Sequence, residues 1–230
     1  MLFNKISELY DGEITFYDSL INRLLMLSED ICIINFNYDL LLEQAMQKKS
    51  LGSFDKLDSF ISGRFKLLKP HGSCNWAYEH VSVPKNNESF DSKIEKLNSL
   101  TSNNININGT SAYHSEHDLL PCMVLPINSE DGFFEKKFVF PDSHYEEMKK
   151  QLNEVEQILI IGWIGKENHF GKKLKELCSN RNIKLIIVGT KNVDKTKDEI
   201  GKYINTQNSI TYNKGFENFL AENKLEAELD

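Results

Sequence analysis

Two clusters of polar side chains have the residue types that acid–base chemistry on a small ligand requires. Asn37 and Asp39 follow the apolar run ICIIN, and His71 follows the apolar run FKLL a little later in the chain. A histidine has an ordinary pKa close to neutral pH and can therefore act as an acid or a base. An asparagine amide both donates and accepts hydrogen bonds. These residues are the candidates for a catalytic site.

The apolar runs that precede these residues are typical of buried strands. In open parallel sheets, ligands bind beyond the carboxyl ends of the strands. Asn35 ends the first run, Gly72 follows His71, Gly162 follows ILII and Gly189 follows KLIIV. Four strands thus each bring a polar residue or a glycine to one edge, and this arrangement favours a binding site there.

Each of these residues also has a structural interpretation that the sequence leaves open. Asn37 and Asp39 suit the N-terminus of the helix that follows them. His71 could be a turn histidine bonded to nearby backbone, and the strand-end glycines could be only tight turns. Trp76 fits packing better than a stacking platform.

Two further motifs are incomplete. The segment from Gly165 to Lys172 resembles a phosphate-binding loop, but five residues separate its glycines and Lys173 replaces the required hydroxyl residue. A zinc site could use His114, His117 and Cys122, with Cys74 or His80, but the spacing matches no compact template. We therefore expect no metal.

Alternating apolar runs and amphipathic helices predict a Rossmann-like, three-layer α/β fold with a parallel sheet, because such strands are covered on both faces. The chain is predicted to be a single domain over residues 1–230 with a polar surface insertion at about 84–120. The predicted parallel strands lie at 31–35, 65–69, 158–162, 184–188 and 209–212.

Composition excludes several classes of protein. The 230 residues carry 27 basic and 34 acidic side chains, a net charge of −7, so nucleic-acid binding by phosphate neutralisation is not expected. No apolar stretch is long enough to span a bilayer, and no secretory signal is visible. Four scattered cysteines do not suggest disulfides. We expect a cytoplasmic protein that contacts no membrane.

Several segments together resemble the bacterial sirtuin-like proteins, including the NAD-consuming effectors of anti-phage defence. INFNYDLLLEQA resembles their T-x-N-Y-D-x-x-x-E segment, and LKPHGSCNW is similar to their histidine-glycine segment. ILIIGWIGKENHF and IKLIIVG are similar to two later strands and the glycine turn of the family. The likeness covers roughly residues 14–80 and 120–220.

The resemblance implies roles for individual residues. Asn37 would be the catalytic asparagine, Asp39 its neighbour at the nicotinamide end, and His71 the catalytic histidine. Gly162 and Trp163 would lie against the adenosine half of NAD. The expected contacts with the nucleotide also include Asn35, Gly72 and Gly189.

The chain departs from the family at its start. The glycine-rich turn G-A-G-x-S, whose amides hold the pyrophosphate in sirtuin-like folds, does not occur before Ile31. The paired cysteines of the deacetylase zinc ribbon are also absent, which argues against a protein deacylase. We expect the missing strand to come from a partner chain, another copy of the protein or an upstream segment.

The activity implied by the resemblance is cleavage of the bond between nicotinamide and ribose in NAD, which is here a substrate. Asn37 would orient a water and a ribose hydroxyl, and His71 would remove a proton. The alternative is a catalytically silent module that senses NAD or ADP-ribose, or that binds another protein.

Overall fold

A computed structural model describes Leu9 and residues 14–78, 105–107, 120–123 and 141–229. The chain divides into two compact units. The first contains Met1–Asp18 and Asp30–Tyr145, and the second contains Ser19–Glu29 and Glu146–Asp230. The predicted single-domain organisation over residues 1–230 stays a prediction.

The first helix, α1 (Phe16–Leu24), begins with a reciprocal pair of side-chain caps. The backbone N–H of Thr15 donates to Asp18 Oδ2 at 2.7 Å, and the N–H of Asp18 donates to Thr15 Oγ1 at 3.4 Å. These bonds satisfy N–H groups that a helix start would otherwise leave without partners.

Two parallel strands form the part of the first unit that carries the predicted catalytic residues. β1 (Ile31–Ile34) pairs with β2 (Phe65–Leu68), with Ile31 opposite Phe65 and Ile34 opposite Leu68. Helix α2 (Leu41–Gln47) and a short 3-10 helix (Leu57–Phe60) connect them. Because the two strands run parallel, their carboxyl ends lie side by side.

The first unit also contains an antiparallel sheet that the sequence analysis did not predict. β3 (Gly72–Tyr78) lies between β4 (Ile105–Ile107) and β5 (Leu120–Met123). Residues 105–107 fall inside the segment predicted to be a surface insertion, yet they belong to this sheet and Ile105 is buried. Leu120, at the end of the predicted insertion, begins β5, and the rest of the insertion lies outside the described residues.

An aromatic cluster holds the centre of the first unit. The ring of Phe60 lies 5.4 Å from Trp76 and 4.9 Å from Phe54, and the ring of His144 lies 5.8 Å from Trp76. Trp76 is completely buried, so the packing interpretation of this residue is confirmed. His144 also bonds through Nε2 to the carbonyl oxygen of Leu57 at 2.8 Å.

The second unit is built on a parallel sheet in which β7 (Lys184–Val188) lies between β6 (Gln157–Ile161) and β8 (Ser209–Tyr212). The helices of the chain's last third are α3 (Asp142–Glu154), α4 (Asn168–Cys178), α5 (Val193–Gly201), α6 (Phe216–Ala221) and α7 (Lys224–Leu229). The predicted parallel pairing of 158–162 with 184–188 is confirmed.

Both faces of the central strand of this sheet are covered. Successive strand residues point to opposite faces, and Leu185, Ile186, Ile187 and Val188 are all buried. This burial is what a three-layer arrangement requires, and the Rossmann-like α/β class is confirmed. Within the described residues, no helix is long and apolar enough to cross a bilayer.

Candidate functional site

Asn35 and Asn37 form a tight turn directly after β1. The Oδ1 atom of Asn35 accepts a hydrogen bond of 3.0 Å from the backbone N–H of Asn37. This bond fixes the direction in which the chain leaves the strand. The side chain of Asn37 is exposed, and its Nδ2 donates to the hydroxyl of Tyr17 at 3.2 Å.

Asp39 bonds to the start of the helix that follows. Its Oδ1 accepts a hydrogen bond of 3.1 Å from the N–H of Leu41, the first residue of α2. Asp39 makes this bond from the position before the N-cap residue, Leu40, which itself has no side-chain cap bond. One carboxylate oxygen is used in this way, and the role of Asp39 toward nicotinamide stays a prediction.

His71 lies in the turn between β2 and β3 and is 3% exposed. Its ring centroid is 5.0 Å from that of Phe36, in an edge-on contact, and 6.4 Å from that of Tyr38, with the planes nearly parallel. Phe36 and Tyr38 are the two neighbours of Asn37 in the chain. The structure therefore packs the turn that carries His71 against the segment that carries Asn37.

A backbone hydrogen bond reinforces the same contact. The N–H of Cys74 donates to the carbonyl oxygen of Tyr38 at 2.9 Å. The segment after β1 and the start of β3 are thus bonded to each other three residues beyond His71. The expectation that four strand ends share one edge stays a prediction.

A buried lysine, Lys69, also bonds to both of these segments. Lys69 Nζ donates to the carbonyl oxygen of Asp39 at 2.6 Å, to Glu43 Oε1 at 2.6 Å and to Ser73 Oγ at 2.8 Å. Neither side chain of the ion pair reaches solvent to any extent, since Lys69 is 0% and Glu43 3% exposed. Burial raises the pKa of the Glu43 carboxyl, and the Lys69 ammonium opposes that rise.

Gly72 is required by the close approach of two strands. Its φ of +81° lies in the left-handed region, and a Cβ atom built there would lie 1.9 Å from the carbonyl oxygen of Cys122 on β5. A side chain of any size would therefore separate β3 from β5. This strand contact accounts for Gly72, and a contact with the nucleotide stays a prediction.

The remaining predicted residues belong to the second unit. Gly162 follows β6 with a φ of +67° and has open space around the position of a Cβ. The indole of Trp163 packs edge-on against Phe170 at 5.3 Å, and its Nε1 donates to Glu167. Gly189 follows β7, and its backbone N–H donates to the carbonyl oxygen of Tyr212 at 3.0 Å.

The segment that resembles a phosphate-binding loop has a different geometry. Lys172 and Lys173 lie inside α4 rather than at its first residues, and Lys173 pairs with Glu176 at 2.5 Å. Gly165 packs against Ile200, since a Cβ there would be 3.2 Å from the side chain. The turn at Gly165 is therefore packed against α5.

Three residues near the predicted site were not identified from the sequence. They are Tyr17 on α1, Lys69 directly after β2 and Glu43 on α2. Burial, and next the carboxylate of Asp39, raise the pKa of the Tyr17 hydroxyl, so it stays protonated at neutral pH. The signal in the sequence is a lysine directly after the apolar run FKLL and a glutamate among the apolar residues of α2, although their pairing is not visible there.

The four cysteines are all free. Burial raises the pKa of Cys74 to about 11 and that of Cys122 to about 12, so both thiols are protonated at neutral pH. His80, His114 and His117 lie outside the described residues. Among the residues that are described, no three potential ligands cluster.

An open cavity of about 530 Å³ lies in the second unit, at the amino ends of its strands. Its lining includes Gln157, Arg181 and Lys184. Gly162 and Gly189 follow the opposite, carboxyl ends of the same strands. The lining of the cavity therefore contains none of the predicted site residues.

No family model matches the chain, and no curated protein matches it. Among solved structures, one described as "Structural Basis for the Mechanism and Regulation of Sir2 Enzymes" aligns with a TM-score of 0.43 and 14% sequence identity. The alignment covers 93% of this chain and 71% of that chain. A likeness of this size establishes neither the family nor the ligand of the protein.

Proposed function

We propose that the protein cleaves the bond between nicotinamide and ribose in NAD, releasing nicotinamide. The observation that carries the proposal is the contact of the His71 ring with Phe36 and Tyr38, the residues on either side of Asn37. The sequence resemblance assigns catalysis to Asn37 and His71, which lie 34 positions apart in the numbering. The fold brings their segments together at the carboxyl ends of two parallel strands.

In this proposal, Asn37 orients the reacting groups. Its side chain is exposed, so its amide oxygen is available to a water or a ribose hydroxyl, while its Nδ2 is held by the Tyr17 hydroxyl. The Asn35 side chain fixes the backbone of the same turn. A fixed amide favours one orientation of the ligand before binding, which reduces the entropy lost in the reaction.

His71 removes the proton from the attacking water or ribose hydroxyl. As nicotinamide leaves, the sugar passes through an oxocarbenium-like state, which is typical of glycoside cleavage. Burial of the ring between apolar neighbours limits competing water, and general-base assistance of this kind contributes about 10²–10⁴-fold to the rate. Asp39, held at the helix start, faces the nicotinamide amide in this scheme.

One buried atom supports a polar ligand at this end of the strand. Asn35 is buried, and its Nδ2 has no hydrogen-bond partner within the described part of the chain. Buried donors in folded proteins are nearly always bonded, and a ribose or phosphate oxygen would supply the acceptor. Gly162 and Trp163 are assigned to the adenosine half of NAD, and Gly189 to the nucleotide in general, by resemblance alone.

A second candidate function is a silent module that binds NAD or ADP-ribose, or another protein, without chemistry. The observation that favours it is the 3% exposure of His71, because a packed turn histidine is less accessible to water. In either case the setting suggested by the resemblance is anti-phage defence. Within the described strands, β1 pairs with β2 alone, and a strand from a partner or another copy would add to its other edge.

The test is to incubate the purified protein with NAD and to follow free nicotinamide and ADP-ribose. We expect release by the wild type, and a loss of at least about 100-fold in His71→Ala and Asn37→Ala. Matched controls are His169→Ala on α4 and Asn180→Ala just after it, which remove the same side chains from the second unit. Binding of ADP-ribose without release of nicotinamide would instead support the silent module.

A further inference from the structure

The buried Lys69 ammonium has a full set of acceptors. A lysine has three N–H donors, and those of Lys69 reach the Asp39 carbonyl oxygen, Glu43 Oε1 and Ser73 Oγ at 2.6, 2.6 and 2.8 Å. All three bonds are of the short kind that charged donors make. The side chain is therefore held in one position.

The acceptors come from three different elements. The Asp39 carbonyl belongs to the segment between β1 and α2, Glu43 lies within α2, and Ser73 is the second residue of β3. Lys69 itself comes one residue after β2 and two before His71. One ammonium thus joins the segment that carries Asn37 to the turn that carries His71.

A purely apolar core would not require this pair. Placing two charges where neither meets solvent costs free energy, and apolar residues of similar volume often stabilise a protein as well or better. What such an ion pair supplies is one specified geometry of the segments that it joins. The backbone acceptor at Asp39 supports such a role, because it fixes main chain that carries the proposed site.

We propose that Lys69 is a positioning residue that sets the placement of the Asn37 segment relative to the His71 turn, with Glu43 as its counterion and Ser73 as its third acceptor. The expected effect of Lys69 on catalysis rests on the proposed function. Its structural content, a fixed position of the His71 ring, is independent of that function.

The decisive variant removes both charges at once. Lys69→Met alone leaves Glu43 buried without its counterion and is expected to destabilise the fold, so it does not separate positioning from stability. Lys69→Met combined with Glu43→Leu leaves no buried charge and keeps similar volume. The matched control is Lys66→Met, which removes a buried lysine of β2 that pairs with Asp30 at 3.6 Å and bonds to Gly63 O at 3.1 Å.

The first measurement is the NMR spectrum of isotope-labelled histidine in the folded proteins, with the His71 signal assigned through His71→Ala. We expect the His71 ring signal to shift or split in the double variant and to stay unchanged in Lys66→Met. If the double variant does not fold, Ser73→Ala, which keeps the ion pair and removes one acceptor, is expected to move the same signal by less. An unchanged His71 signal in the folded variant would overturn the proposal.

The second measurement is nicotinamide release from NAD. We expect the folded double variant to lose about 10–100-fold in kcat, because small misplacements of catalytic groups have effects of that size, while KM changes by less than about threefold. Wild-type turnover in the folded double variant would overturn the positioning role. If the wild type releases no nicotinamide, the proposed function fails, and the His71 signal still decides the inference.

Discussion

The close approach of β3 to β5 makes Gly72→Ala a sharp test of the structure. At a φ of +81° an alanine costs about 1–2 kcal/mol relative to its preferred backbone conformations. The new Cβ would lie 1.9 Å from the Cys122 carbonyl oxygen, so backbone must move, and forced packing of this kind costs about 1–3 kcal/mol more. We expect a loss of about 2–5 kcal/mol in the free energy of unfolding.

Gly63→Ala is the matched control for this variant. Gly63 lies in the same unit with a φ of +74°, and no atom lies within 4 Å of the position of its Cβ. Only the conformational cost remains, about 1–2 kcal/mol. Urea denaturation followed by Trp76 fluorescence measures both variants. Equal losses in the free energy of unfolding for Gly72→Ala and Gly63→Ala would refute the strand contact. The predicted contact with the nucleotide would then be the remaining reason for a glycine at position 72.

Three further predictions concern side chains around the proposed site and the core. Tyr17→Phe removes the acceptor of the Asn37 amide; we expect about 0.5–1.5 kcal/mol lower stability and slower nicotinamide release, and an unchanged kcat would contradict this role. Asp39→Ala should cost about 1 kcal/mol in urea denaturation through the lost hydrogen bond from the N–H of Leu41, whereas Asp39→Asn, which keeps the acceptor, should cost a few tenths; equal losses would exclude a role of this bond. Burial lowers the pKa of His144 below its usual value, so the folded protein favours the neutral ring. This contribution to stability is fully present above the unfolded-state pKa near 6.5. It is lost as pH falls from there through the folded-state pKa. His144→Gln should therefore flatten the acid side of the stability–pH curve, by at most about 1.4 kcal/mol per pH unit, and a curve parallel to that of the wild type would contradict it.

The parallel strands could be predicted because their signal is local. ILII and KLIIV are short, apolar on both faces and bounded by glycine, and only a strand covered on both sides accommodates such a run. The two strands pair in parallel as predicted, with the first strand beginning and ending one residue earlier than expected. The position of polar residues after the strands followed from the same runs.

The antiparallel sheet could not be predicted because its signal is not local. β3 contains Gly72, Ser73 and Asn75, which are poor strand formers by composition. β3 is held as a strand at its two ends by distant segments, since Gly72 pairs with Met123 of β5 and Ala77 and Tyr78 pair with both β4 and β5. The burial of Trp76 against Phe60 and His144 depends on the same long-range contacts.

The site was predicted only in part for a similar reason. The residue types of Asn37 and His71 and their positions after strands are visible in the sequence. The pairing of Lys69 with Glu43 is not, because the two residues lie 26 positions apart and each alone would be expected at the surface. The sequence likewise does not show that the Asp39 carboxylate bonds to the N–H of Leu41 at the start of α2.

The central claim is that Asn37 and His71 serve one ligand. The most direct measurement is an NMR titration with ADP-ribose that follows the side-chain amide of Asn37 and the ring of His71 in the same samples. The account predicts that both signals move along one binding curve. The side-chain amide signal of Gln157, at the amino end of β6 in the second unit, stays unaffected. Movement of Gln157 alone, or of neither site residue at saturating ligand, would contradict the account.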